Sequence, residues 1–248
     1  MRILNFNIDY KIDSYDHANK ITKFIDDFIN QGNNNNLILY IAKNTGLPAE
    51  VVSFEFKQFL IRNYSFATGK FSKKFEIYKI FKSIFVYIST LFWILLFSKN
   101  KLSNSYDLII DEIEREEEAY RFLGLTKEFK SNIFISKTAL SDKYNHLKFN
   151  RYKGCKRSFV FKNFFTYLFG IFFQTLKYSF FCRTNLLIIV LHILKKIIKY
   201  ESLFSQIKAK FLIQERSYTT SAIKNFLFKK NGGINTSCIQ KNIIPIKK

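Results

Sequence analysis

Charged, amide and hydroxyl side chains follow three short apolar runs of this sequence, and their types and spacing could do chemistry. They are Asp111 and Glu112 after the first run, Glu215, Arg216, Tyr218, Thr219 and Thr220 after the second, and Gln240 and Lys241 after the third. A carboxylate at Asp111 or Glu215 could act as a general base on a hydroxyl group. Arg216, together with backbone N–H groups near 219–221, could hold a phosphate or a carboxylate. These residues therefore form the candidate catalytic and substrate-binding set.

The same residues also have structural interpretations. Glu215 and Arg216 can form an ion pair at the end of a sheet, and Thr219 or Thr220 suits the N-cap of a helix. Gly232 suits the left-handed position that follows a helix. The chain contains no GxGxxG, GxxxxGK[ST] or GxSxG sequence, so no phosphate-binding loop or nucleophile elbow decides between the two interpretations.

Four short apolar segments are the elements that would position these residues. The pattern predicts strands at 107–111, 132–136, 211–214 and 236–240, with helices after the first and third of them. Strand–helix–strand units with short connections give parallel strands, and ligands of open parallel sheets bind beyond the carboxyl ends of the strands. The sequence thus predicts an α/β, Rossmann-like parallel sheet whose carboxyl edge gathers the candidate residues.

The start of the chain is predicted to follow the same plan. Residues 2–8 favour a strand, 15–29 a helix and 37–42 a second strand, and Gly46-Leu47-Pro48 breaks the chain after them. We expect a single α/β domain over 1–248. In this interpretation 70–100 and 155–200 are apolar, basic-aromatic helical insertions that contact a membrane.

Two apolar regions leave alternatives open. Residues 83–98 are 16 residues without a charge, whereas a helix that spans a membrane needs about 20 such residues. The segment could be a helix buried in the core, a helix lying in a membrane surface, or a membrane-spanning helix. The basic-aromatic region 143–200 contains no acidic residue, and its uncharged stretches 163–176 and 184–194 are shorter still. It suits either a core helix pair or helices at the acyl boundary whose lysines reach phosphate headgroups.

The net charge of the chain indicates which kinds of partner it attracts. The net charge is +21, and residues 151–248 carry 19 basic and two acidic side chains, a net +17. Such a surface attracts nucleic acid or the anionic inner leaflet of a membrane. The cations alternate with Leu, Ile and Phe runs and no nucleic-acid-binding motif is present, so the sequence favours the membrane over nucleic acid.

Cysteine and histidine positions predict neither a metal nor a cofactor. The three cysteines are far apart and do not pair with the three histidines, so the sequence predicts no zinc site. The N-terminal residues do not resemble a signal peptide. We expect a cytoplasmic protein, peripheral to the inner face of the membrane.

Two stretches resemble a known family. QERSYTTSAIKNFLFKKNGGINTSCIQKN, residues 214–242, and YDLIIDEIEREEEAYRF, residues 106–122, are similar to the N-terminal, acceptor-side domain of bacterial surface-carbohydrate and lipopolysaccharide glycosyltransferases of the GT-B type. The resemblance implies transfer of a sugar from a nucleotide donor to a membrane-linked acceptor. The family's nucleotide-binding domain would follow residue 248, so the resemblance implies one half of a two-domain enzyme. The alternative is a non-enzymatic membrane-associated protein.

Overall fold

The computed structural model of the chain describes residues 23, 26, 27, 29, 30, 32–63, 77–98, 104–111, 133–135, 156–182, 184–214 and 221–238. The helices are α1 (Gly32–Thr45), α2 (Ala49–Asn63), α3 (Ile77–Leu96), α4 (Arg157–Phe165), α5 (Phe172–Phe181), α6 (Leu187–Gln206) and α7 (Ala222–Lys230), with a π-helical turn, Thr166–Ile171, between α4 and α5. The strands are β1 (Asn104–Asp111), β2 (Ile133–Ile135), β3 (Ile207–Gln214) and β4 (Asn235–Cys238).

The chain divides into two compact units. We call Met1–Ser98 with Arg157–Ile197 the helical unit, and Lys99–Lys156 with Ile198–Lys248 the sheet unit. Each unit is built from two separate stretches of the chain. The expectation of a single domain over 1–248 stays a prediction.

The sheet unit contains the parallel sheet expected from the sequence. Its strand order is β2-β1-β3-β4, and all three neighbouring pairs are parallel. The four segments expected as strands are therefore adjacent and run the same way, which confirms an α/β protein. β3 is longer than expected, because it begins at Ile207, directly after the last residue of α6.

Both faces of the sheet are covered at its centre. Leu108, Ile109 and Ile110 are consecutive on β1 and all are buried. Successive strand residues point to opposite faces, so a buried run of this kind requires cover on each side, as parallel sheets normally have. Part of the apolar core of this unit comes from α6 and α7, where the rings of Phe204 and Phe228 meet edge to face at 5.2 Å.

Helix α7 has well-defined ends. Its N-cap is Ser221, whose side chain accepts a hydrogen bond from the backbone N–H of Lys224. The N-cap prediction of Thr219 or Thr220 is therefore wrong by one or two positions: the helix begins at Ala222, and the capping oxygen must come from the residue just before it. At the other end Gly232 has a φ of +95°, which confirms it as the left-handed residue after the helix.

Helix α1 replaces the strand expected at 37–42, so that prediction is wrong. Leu37, Ile38 and Ile41 are all buried, and their spacing puts them on one face of a helix. A six-residue apolar run does not distinguish a strand from part of a helix. Packing of α1 against its neighbours overrides the weak helix propensity of the preceding asparagines, and Asn34 accepts a hydrogen bond from the Cys182 thiol.

The predicted chain break after α1 is confirmed. Gly46 has a φ of +67°, and the N–H of Leu47 donates back to the carbonyl of Ala42 at 3.2 Å. This is the hydrogen bond of a Schellman helix end. Pro48 then lies immediately before the first residue of α2, where its fixed φ suits a helix start.

A buried ion pair lies inside the helical unit. The Lys196 ammonium on α6 lies 2.5 Å from the Glu55 carboxylate on α2, with side-chain exposures of 17% and 0%. An ionised group without a partner is costly to bury, so each of these side chains depends on the other. The contact fixes the register of α6 against α2.

Two buried tyrosines join α3 to the π-helical turn. The Tyr87 hydroxyl donates to the Tyr167 carbonyl at 2.9 Å, and the rings of Tyr87 and Phe172 lie 5.2 Å apart. Burial, and then the neighbouring Tyr167, raise the pKa of Tyr87 well above its ordinary value. The phenol therefore stays neutral and remains a hydrogen-bond donor.

Candidate functional site at the carboxyl edge of the sheet

The strand order creates a switch point between β1 and β3. From β1 the chain continues outward to β2 on one side, and it returns to build β3 and β4 on the other. In open α/β sheets the crevice beyond the carboxyl ends of the two strands at such a point is where ligands bind. Of the predicted site residues, Asp111 ends one of the two strands at this switch point.

The last residues of three strands form one row at this edge. Asp111 pairs in register with Gln214, and Gln214 pairs with Cys238. Asp111 is thus one strand from the end of β3, and Glu215 and Arg216 are the next residues of the chain after Gln214. The register places the backbone of Asp111, a predicted catalytic residue, at the switch point.

The remaining candidate residues lie outside the part of the chain that the structure describes. They are Glu112, Glu215, Arg216, Tyr218, Thr219, Thr220, Gln240 and Lys241. Each follows the carboxyl end of a described strand by seven residues or fewer in sequence. Their roles stay predictions, and so does the Glu215–Arg216 ion pair offered as the structural alternative.

Sequence reasoning missed a buried cation in the first turn of α7. Lys224 is fully buried, and its ammonium lies 5.6 Å from the centre of the Tyr200 ring. The aromatic face stabilises the cation electrostatically, which matters because the positive end of the helix dipole disfavours a cation here. The sequence held a signal: Lys224 precedes Leu227 and Phe228 by three and four residues, which is the spacing of one helix face.

A second candidate region lies in the helical unit, where α3 and α4–α5 expose apolar side chains. We call these the aromatic surface. On α3 and the residue after it they are Tyr78, Phe81, Phe85, Val86, Phe92, Trp93, Leu96 and Phe97, and on α4 to α5 they are Phe161, Phe165, Phe169, Phe173, Phe180 and Phe181. Phe85 and Leu96 are each 74% exposed. The expectation of a helix buried in the core at 83–98 is therefore wrong for the described part of the chain, since Phe85, Trp93 and Leu96 are exposed.

The aromatic surface continues from one helix to the next through ring contacts. Phe92 of α3 meets Phe164 of α4 at 5.1 Å, and Phe164 meets Phe165 at 5.7 Å. From there the rings of Phe165, Phe169 and Phe173 stack at 6.0 and 6.3 Å. The π-helical turn holds more residues per turn than an α-helix, which brings side chains four residues apart closer to alignment.

Helix α6 behaves differently although its composition is similar. Leu187, Ile189, Val190, Ile193 and Leu194 are buried, and Lys195 is exposed. For this part of the basic-aromatic region the core-helix interpretation is correct. The alternatives left open by the sequence therefore divide between segments: α6 belongs to the core, and α3 with α4–α5 carries the exposed aromatic residues.

By length and composition, two helical segments could cross a membrane, Tyr78–Leu96 with 19 residues and Arg157–Phe181 with 25 residues. Core helices of soluble proteins pass the same test, so length and composition alone are weak evidence. Among the described residues no group of three or more His, Cys, Asp or Glu side chains is placed to hold a metal ion.

Comparisons with known proteins add no family. The chain has no match among family models, and it has no significant match to a curated protein or to a solved structure. The class established by the fold is therefore an α/β protein with a four-stranded parallel sheet.

Proposed function

We propose that the protein is a glycosyltransferase-like component of surface-polysaccharide synthesis. It would transfer a sugar from a nucleotide donor to an acceptor anchored in the membrane, with the parallel sheet as a Rossmann-like half of a GT-B enzyme. The observation that carries the proposal is the β1/β3 switch point, with Asp111 and Gln214 in register at its edge.

The proposed chemistry needs few groups. An acceptor hydroxyl oxygen forms a bond to the anomeric carbon of the sugar, the bond from that carbon to the nucleotide diphosphate breaks, and the hydroxyl proton passes to a carboxylate. We assign this base to Asp111, whose backbone lies at the switch point, and keep Glu215 as the alternative carboxylate. Arg216 and the N–H groups before α7 would hold the diphosphate that leaves, because helix N-termini and arginine both favour phosphate.

A transfer assay with matched aspartate variants tests this proposal. The full chain is incubated with radiolabelled UDP-glucose, UDP-galactose or GDP-mannose and with a bacterial lipid extract containing polyprenyl-phosphate-linked glycans, and label in the lipid phase is counted. Asp111→Asn should abolish transfer. Asp107→Asn makes the same chemical change four residues earlier on β1, at an exposed position away from the edge, and should leave transfer unchanged. Absence of label in the lipid phase with all three donors, or equal loss in both variants, would contradict the proposal.

The aromatic surface favours a second candidate function, a non-enzymatic membrane-associated protein. In this case α3 and α4–α5 would be the functional elements, and the sheet would serve as a scaffold. Cell fractionation at low salt separates this candidate from a soluble enzyme. Recovery of the whole protein in the supernatant would eliminate it, whereas membrane association without any transfer activity would favour it over the first proposal.

A further inference from the structure

The aromatic surface exposes more apolar side chains than a soluble protein normally leaves in water. Contiguous exposed apolar patches mark interaction sites or membrane contacts. Phe85, Trp93, Phe161 and Phe173 are 74%, 63%, 65% and 57% exposed, and all lie in the helical unit. The opposite sides of the same helices carry buried residues such as Tyr87 and Tyr167. Each helix thus has one face packed on protein and one face that carries exposed apolar side chains.

The charges around the aromatic surface identify the occupant. Neither 77–97 nor 157–181 contains an acidic residue, whereas both contain lysines. Lys82, Lys162 and Lys177 are exposed, and the Lys177 ammonium lies 5.9 Å from the centre of the exposed Phe181 ring. Cations beside exposed aromatic rings suit a bilayer surface, where rings enter the acyl boundary and ammonium groups stay among phosphates.

The spacing of the charges favours a helix lying in the membrane surface over a helix that spans it. Between Lys162 and Lys177 the uncharged stretch 163–176 has 14 residues, or roughly 21 Å of helix. Between Lys82 and Lys99 the uncharged stretch has 16 residues, or roughly 24 Å. The hydrocarbon core is about 30 Å thick. Both stretches fall short of it.

We propose that α3 and α4–α5 lie in the plane of an anionic phospholipid bilayer, with Phe85, Trp93, Phe165, Phe169 and Phe173 in the acyl boundary and Lys82, Lys162 and Lys177 at the headgroups. The inference names the residues through which the protein would contact the membrane in the proposed function. It rests on the membrane association in the proposed function and does not depend on sugar transfer.

Partitioning onto vesicles provides the first test. The full chain should co-sediment with phosphatidylglycerol–phosphatidylethanolamine vesicles, and binding should fall on the order of fivefold for each lysine changed in Lys162→Gln and Lys177→Gln. Phe169→Ser and Phe173→Ser should each weaken binding on the order of tenfold, since each removes one ring that the bilayer would cover. Leu39→Ser and Phe54→Ser are matched controls, because they remove exposed apolar residues from α1 and α2 and should leave binding unchanged.

Trp93 provides the second test, because it is the chain's single tryptophan. Its emission should shift to the blue on anionic vesicles and stay unchanged on phosphatidylcholine vesicles. Lipids brominated at different acyl positions then report depth, for Trp93 and for Phe85→Trp in a Trp93→Phe background. The two positions are about 12 Å apart along the helix axis.

An in-plane helix predicts shallow quenching at equal depth for both tryptophans. Quenching of Trp93 from the bilayer centre, with the residue-85 tryptophan near the headgroups close to Lys82, would show that α3 spans and would overturn the proposal. Unchanged Trp93 emission on anionic vesicles would also overturn it. The vesicle experiments contain no nucleotide or sugar, so a negative result in them would not contradict the transferase proposal. A negative transfer assay would likewise not contradict the proposal that α3 and α4–α5 lie in the bilayer surface.

Discussion

The two units of the molecule differ in how many large apolar side chains they leave exposed. In the sheet unit the apolar runs are inside, with Leu108 to Ile110 of β1 and Leu212 of β3 all buried. In the helical unit long helices expose phenylalanine while their interior faces carry polar groups such as Asn34, Glu55 and Thr175. Of the exposed large apolar side chains in the described part of the chain, all but Phe211 and Ile234 belong to the helical unit.

This difference shows that apolar content alone does not reveal which residues form a core. Burial requires a second element to pack against, and among the described elements none covers the exposed faces of α3 and α4–α5. The helical unit is held together by the apolar core on the buried sides of its helices, as at Leu37 and Ile41, and by polar contacts such as the one between Lys196 and Glu55. Substitutions at interior polar residues should therefore destabilise it more than substitutions at its exposed phenylalanines.

The largest expected effect is at the buried ion pair. Lys196→Met removes the cation and leaves the Glu55 carboxylate, which is fully buried, without that partner. We expect a loss of about 3 kcal/mol in the free energy of unfolding, measured by urea denaturation. The double variant Glu55→Gln, Lys196→Met should recover at least half of the loss, since no buried charge remains. A loss below about 1 kcal/mol for Lys196→Met would show that the pair does not hold the helical unit.

A smaller effect is expected in the sheet unit at Gly233. A Cβ there would meet the Phe228 ring at 2.3 Å, so the ring must move or the turn after α7 must open. Gly233→Ala should cost about 2 kcal/mol by overpacking, measured by thermal denaturation. Gly32→Ala is the matched control because a Cβ at Gly32 meets nothing within 4 Å. If both variants lose the same stability, the close packing of the sheet unit is not the cause.

The Tyr87 hydroxyl should contribute less. Tyr87→Phe removes the donor to the Tyr167 carbonyl, a bond of 2.9 Å, and keeps the ring. We expect a loss of about 1 kcal/mol, measured in the same denaturation experiment. Because burial raises the pKa of Tyr87, the phenol of the unfolded chain ionises before the buried one, so this contribution should be full at neutral pH and fall as the pH rises through the ordinary tyrosine pKa of about 10. A difference between wild type and variant that stays constant as the pH rises through that value would contradict it.

The smallest expected effect is on the aromatic surface itself. Phe85→Ser changes a side chain that is 74% exposed, only two residues from Tyr87. In solution the free energy of unfolding should change by less than about 0.5 kcal/mol. A loss of several kcal/mol would mean that Phe85 packs against protein, and the contrast between the two units would fail.

The sheet could be predicted from the sequence better than the helical unit could. Short apolar runs bounded by polar residues and glycine predicted all four strands, because a strand buried on both faces produces such a run. The run at 37–42 has the same appearance, yet it forms part of α1. Only its packing against other helices, which local sequence does not encode, separates the two outcomes.

The candidate site could be predicted only in outline. Parallel strands bring Asp111 next to the end of β3, and the residue types that follow β3 suggest phosphate and hydroxyl chemistry. Lys224 was missed because its neighbours Lys229 and Lys230 are exposed, and a lysine on a short helix is usually solvated. The ring beside the Lys224 ammonium, Tyr200 of α6, lies 24 residues away in sequence, so the spacing to Leu227 and Phe228 was the local signal for its burial.

Hydrogen–deuterium exchange of the full chain, with and without anionic vesicles, tests most directly whether the two units have different partners. The account predicts slower exchange on vesicles in peptides covering 77–98 and 157–181, and unchanged exchange in those covering β1, β3 and α7, because only the aromatic surface enters the bilayer. Slowing in the sheet segments with no change in α3 and α4–α5 would contradict the account.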